Sequence, residues 1–87
     1  MRESVKEFAE MIEKILQKND SKGGWEECTN LYLATRLVEE VGEVMQKLNA
    51  GERGAMSLEV IDVANFAMML YDNNADQIKK LDLNKFM

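Results

Sequence analysis

Val5, Phe8, Ala9, Ile12, Ile15 and Leu16 recur at spacings of three and four residues, the mark of a helix that buries one face. The pattern predicts a first helix from about Glu3 to Lys18, with Glu3, Glu7, Glu10, Glu13 and Lys14 on its solvated side. Ser4 offers a cap for a slightly later start, with Glu7 completing a capping box. Asn19-Asp20-Ser21-Lys22-Gly23-Gly24 ends this helix, because adjacent glycines accept positive φ and their polar neighbours favour a turn. Leu31, Ala34, Leu37, Val38, Val41, Val44, Met45 and Leu48 then form one stripe. They predict a second helix from about Glu26 or Thr29 to Leu48.

The segment from Asn49 to Met56 reads as a connection, and a third helix is expected from Ser57 or Leu58 to Tyr71. Leu58, Ile61, Ala64 and Met68 make one apolar face of it, while Val63, Phe66, Ala67 and Leu70 make another, so it is expected to be packed on several sides. Asn74 is placed to cap a fourth helix, with Asp76 in its first turn, Gln77 three residues on, and Ile78, Leu81 and Leu83 as its apolar face. Lys79 and Lys80 would complement the dipole at its end. No segment carries the alternation of a strand. The expected fold is all-α, an antiparallel bundle of about four helices in one domain over residues 1–87.

A chain of 87 residues buries only about 60–65% of the surface that its unfolded form exposes. Completion of the bundle by homo-oligomerisation is therefore expected, as a homodimer or homotetramer. Seven methionines suit adaptable packing between helices better than ligation. Sixteen acidic against eleven basic residues leave a net charge of -5 with no basic run to follow a phosphate backbone, which excludes nucleic acid as a partner. Cys28 is the single cysteine, so no internal disulfide forms, and without histidine to activate it a half-buried thiol is the expected role. No apolar run reaches membrane-spanning length and Met1-Arg2-Glu3-Ser4 leads into a charged amphipathic helix, so a cytoplasmic protein with no membrane partner is expected.

The acidic residues of the second and third helices change this picture. Glu40 and Glu43 lie three apart in the second helix, and Glu59 and Asp62 repeat that spacing in the third, so each pair projects from one side of its helix about one turn apart. A short connection makes the two helices antiparallel neighbours, and four carboxylates then converge on one groove. Unpaired like charges at that range repel and are costly to desolvate, so such a cluster calls for a cation. Oxygen donors without histidine or cysteine select a hard ion, Mg²⁺ first and Mn²⁺ second, over Zn²⁺ or copper. The acids lie on helices, which excludes an EF-hand loop. Such a metal orients a phosphoanhydride and acidifies an attacking water, whose proton would pass to Glu39 or to a loosely held member of the four.

Gly42 sits between the first two acids, where it costs about 1 kcal/mol relative to alanine. It opens either a packing notch or the close approach of another helix or a ligand. Lys22 and Trp25 leave two readings as well: Trp25 closes the end of the bundle, or it stacks on a base with Lys22 beside a phosphate. Asn65 continues the polar row of Glu59 and Asp62 along the third helix.

Glu39-Glu40-Val41-Gly42-Glu43 followed by Glu59-Val60-Ile61-Asp62 resembles the Glu-Glu-x-x-Glu and Glu-x-x-Asp signature of the MazG-like, all-α nucleotide pyrophosphohydrolases, a group that includes the dimeric dUTPase relatives. Val63-Ala64-Asn65 and Lys22-Gly23-Gly24-Trp25 extend the likeness, which spans roughly Lys22 to Tyr71. The resemblance implies Mg²⁺-dependent cleavage of a nucleoside triphosphate between the α and β phosphates, giving a monophosphate and pyrophosphate, on noncanonical or surplus nucleotides. It implies Glu40, Glu43, Glu59 and Asp62 as metal ligands, Glu39 as an accessory acid and Asn65 close to the nucleotide. The rival expectation is a non-catalytic helical assembly or binding module with a metal-stabilised acidic cluster. A metal-dependent phosphohydrolase acting on another phosphate ester is a third.

Overall fold

The computed structural model describes residues 1–81, with Ser21 described by its backbone alone. Helix α1 spans Glu3–Lys18, a one-turn 3-10 helix follows at Asp20–Lys22, α2 spans Asn30–Asn49 and α3 spans Arg53–Ile78. No strand occurs among the described residues. The all-α expectation holds with three α-helices there in place of about four, and Leu83 of the expected fourth helix lies outside the described residues.

The boundaries follow from local chemistry. Helix α1 has the expected bounds, but it starts after Arg2 with no side-chain cap, so Ser4 does not serve as one. Asn19 closes it by donating its side-chain amide to the Ile15 carbonyl at 3.1 Å, and Gly23 takes φ +92° just beyond the 3-10 turn. Thr29 caps α2, its hydroxyl accepting the Tyr32 N–H at 3.1 Å. At the other end, Gly51 N–H bonds the Leu48 carbonyl and Glu52 N–H bonds the Lys47 carbonyl, with Gly51 at φ +72°. This is a Schellman closure, in which the residue after the C-cap turns left-handed and satisfies the last carbonyls.

Because that closure needs so few residues, the connection is Ala50–Glu52 and not Asn49–Met56; Arg53, Gly54, Ala55 and Met56 form the first turn of α3. Helix α3 also runs past Tyr71 to Ile78, so the expected cap at Asn74 is a helix interior residue. Its amide has better partners than a new helix end. Asn74 donates to the Leu70 carbonyl at 2.7 Å and to Asn30 Oδ1 at 2.8 Å, while Asn30 donates back to Asn74 Oδ1 at 3.1 Å.

The helices α2 and α3 form the main packed pair, and α1 leans on α3 but not on α2. Leu33 and Ile61 are the buried apolar residues and Glu40 and Asn65 the buried polar ones. Helix α1 has no fully buried residue; Ile12, Ile15 and Leu16 are half-buried, while Val5, Phe8 and Ala9 of its expected inner face are exposed. The single stripe expected on α2 splits in two. Leu33, outside that stripe, is the most deeply buried side chain, and Ala34, Leu37 and Val44 are half-buried, whereas Leu31, Val38, Val41, Met45 and Leu48 are exposed. The Cα radius of gyration is 14.7 Å, where about 12 Å is usual for a chain of this length.

Candidate metal centre

Glu40 projects from α2 on the side of Leu33 and Leu37, which precede it by two turns and one turn, and this side packs against α3. It is 5% exposed. Glu43, one turn further on, is exposed, and Glu59 on α3 is half-buried. Carboxylate oxygens of these three residues all lie within 4.8 Å of one another. Two of the oxygens, Oε2 of Glu40 and Oε2 of Glu59, are buried with no hydrogen-bond partner. An orphaned buried acceptor carries the full cost of its lost hydration.

Asp62 is half-buried one turn along α3 from Glu59 and stands outside that triangle of three, so the structure brings together three of the four expected acids. Its proximity is felt as charge. Burial is the main cause that pushes Glu40 up to about 7, followed by the close approach of the Glu43 carboxylate and by the Glu43 and Asp62 charges, with Arg36 pulling the other way. Glu43 is held below its ordinary value by the adjoining carboxyl groups of Glu40 and then Glu59, which take up the proton in its place. The close approach of the Glu43 carboxylate raises Glu59, aided by burial. Burial and then the Glu43 charge raise Asp62.

Arg36 is the cation that the sequence reading passed over. Its Nη2 lies 3.1 Å from Glu40 Oε1 and its Nη1 pairs with Glu39, while the guanidinium sits 5.1 Å from the centroid of the Phe66 ring. The hydrogen bond to Glu39 is the first cause that raises the Arg36 pKa. The signal was present in the chain: Arg36 precedes Glu40 by four residues, the spacing at which side chains on a helix meet. Glu39, the expected accessory acid, is exposed, tied to Arg36 and outside the three-acid cluster.

A cavity of about 400 Å³ opens beside the acids, and Glu40, Asp62, Arg36, Lys22, Trp25 and Phe66 all line it. The structure thus brings Lys22 and Trp25 to the acidic region from the loop after α1. Asn65 is buried, with Oδ1 unpartnered, and does not line the cavity. The C-terminal part of α3 holds the loop in place. Trp25 Nε1 donates to Asp72 at 3.0 Å, and Asn73 donates to the Trp25 carbonyl at 3.0 Å and the Cys28 carbonyl at 3.5 Å. No periodicity marks Asp72 and Asn73 for this task, since their partners lie more than forty residues away in the chain.

Three convergent carboxylates can supply one side of an octahedral Mg²⁺ or Mn²⁺ shell and leave the other side to water or phosphate oxygens. The two partnerless oxygens fit that donor set, because a cation satisfies acceptors that no nearby N–H reaches. No helix is long and apolar enough to cross a membrane among the described residues. No family model, curated protein or solved structure matches the chain.

Proposed function

We propose that this chain is a helical module that binds a divalent cation, Mg²⁺ or Mn²⁺, through Glu40, Glu43 and Glu59. The observation that carries the reading is the meeting of three carboxylates within 4.8 Å, one of them buried with a partnerless oxygen. Thermal unfolding with and without each cation tests it. Added Mg²⁺ or Mn²⁺ raises the melting temperature of the wild type, and Glu40→Gln or Glu59→Gln removes most of that rise. A melting temperature indifferent to both cations ends the reading.

The cavity favours a second, finer reading in which the module is a nucleoside triphosphate pyrophosphohydrolase, as its two acidic motifs resemble. Aromatic Trp25 and Phe66 line the same cavity as Lys22 and Arg36, a combination that suits a base and its phosphates. Bound metal would supply charge neutralisation of the phosphates and a more acidic water. Water attacks the α phosphorus, the bond to the β phosphate breaks, and pyrophosphate leaves while a nearby carboxylate takes the water's proton. Lys22 and Trp25 position the nucleotide, and Asp62 and Asn65 belong to the same polar row on α3.

A panel of nucleoside triphosphates with Mg²⁺ or Mn²⁺, with both products resolved, separates the readings. Monophosphate and pyrophosphate, lost on Asp62→Asn, support the enzyme. Diphosphate and inorganic phosphate indicate a different phosphohydrolase. Cation binding with no turnover across the panel selects the non-catalytic module.

A further inference from the structure

One carboxylate of the metal centre has its two oxygens in different hands. Glu40 is 5% exposed. Its Oε1 lies 3.1 Å from Arg36 Nη2, while its Oε2 is buried without a partner. An ion among Glu40, Glu43 and Glu59 therefore finds Oε2 open and Oε1 taken. We propose, on the metal reading above, that Arg36 sets the selectivity of this centre: by holding Oε1 it confines Glu40 to a single metal bond through Oε2, and so favours Mg²⁺ or Mn²⁺ over Ca²⁺.

Arg36 is fixed by three contacts. It precedes Glu39 by three residues and Glu40 by four, the two spacings at which side chains on one helix meet. A guanidinium fork reaches two carboxylates at once, as the compact charge of a lysine does not. Here Nη1 pairs with Glu39 while Nη2 holds Glu40. The ring of Phe66 on α3, its centroid 5.1 Å from the guanidinium carbon, supplies the third contact. Glu39 then serves the ion without touching it. Exposed and outside the three-acid cluster, it anchors the cation that orients a ligand.

The number of oxygens that each carboxylate gives is where the two classes of ion part. Ca²⁺ takes about six to eight oxygens in a flexible shell and accepts both oxygens of one carboxylate, whereas Mg²⁺ demands near-octahedral order at shorter range and keeps several waters. A Glu40 limited to one oxygen suits Mg²⁺ as it stands. Ca²⁺ loses a ligand. The charge of Arg36 acts differently, because it repels two divalent ions nearly alike and so lowers both affinities while leaving their ratio where it was. The ratio therefore reports the blocked oxygen, and the absolute affinities report the charge.

Competition titrations of Mn²⁺, Mg²⁺ and Ca²⁺ against the full chain test the proposal, with bound Mn²⁺ followed by its electron spin resonance signal. The wild type is expected to bind Mn²⁺ and Mg²⁺, and Ca²⁺ more weakly. Arg36→Met shifts the ratio of Ca²⁺ to Mg²⁺ affinity towards Ca²⁺ by about tenfold or more. Tb³⁺, a luminescent stand-in for Ca²⁺, holds about one water fewer in that variant, read from its lifetimes in H₂O and D₂O, because Glu40 Oε1 takes the place. Glu39→Gln, a change at an exposed side chain, keeps Mn²⁺ binding where Glu40→Gln does not, and moves the ratio in the same direction as Arg36→Met. It decides the case if Arg36→Met does not fold. A wild type that binds none of the three ions ends the metal reading and this proposal with it. Where the wild type does bind Mn²⁺, a preference for Ca²⁺, a ratio that neither folded variant moves, or loss of Mn²⁺ binding in Glu39→Gln overturns the proposal alone.

Discussion

At the scale of the residue, Glu40 is a carboxylate with one oxygen on Arg36 and the other on nothing. Burial and its neighbours raise it to about 7, well above the value of about 4.3 that a glutamate has in an unfolded chain. The folded state therefore holds more protons than the unfolded one between those two values. Stability that is present below the unfolded value is lost as pH rises through the folded one, and Glu40 contributes in that sense. Glu59 and Asp62, also raised, act in the same direction. Glu43, lowered, opposes them, since its contribution is kept at higher pH and lost on acidification. Urea unfolding of the metal-free protein is expected to show stability falling from pH 5 to pH 8, with a smaller fall in Glu40→Gln. Saturating Mg²⁺ flattens or reverses the trend, because the cation takes the place of the protons. Stability that rises with pH in the absence of metal would contradict the assigned environment of Glu40.

Helix ends obey the same accounting of satisfied groups at the scale of the element. Gly51 turns left-handed to close α2, so Gly51→Ala is expected to cost about 1 kcal/mol, read as a lower urea midpoint with an unchanged slope. Gly54→Ala, inside the first turn of α3 where an added Cβ meets nothing within 4 Å, is expected to be neutral or stabilising. The contrast shows what was legible in the chain. The bounds of α1 could be read because one apolar face and one polar face define them, and the acids at Glu40, Glu43 and Glu59 could be read because their spacing fixes their direction. The ends of α3 could not, since Gly54 and Asn74 are turn formers by composition and helix residues by context; the Asn30 amide that engages Asn74 is forty-four residues away. Arg36, Asp72 and Asn73 were passed over for the same reason: what each does depends on a partner whose place only the fold defines. The two seams of α2 merge in sequence because periodicity records that a side chain is apolar, not which neighbour covers it.

At the scale of the whole molecule, protection from unfolding should be as uneven as burial is. Leu33 and Ile61 lie between α2 and α3, which also carry the buried Glu40 and Asn65, whereas α1, among the described α-helices, touches only α3 and buries no residue fully. Few buried apolar contacts and an exposed backbone lower the free energy of local opening. Hydrogen exchange should therefore be fastest in the N-terminal half of α1, slower around Ile12 to Leu16, and slowest in the segments about Leu33 and Ile61 to Asn65. On the proposed metal reading, added Mg²⁺ is expected to slow exchange in α2 and α3, since an ion at Glu40, Glu43 and Glu59 would tie one helix to the other, with little gain in α1. An α1 whose amides exchange as slowly as those at the centre of α3 would mean that this helix is held by contacts beyond the one it makes with α3.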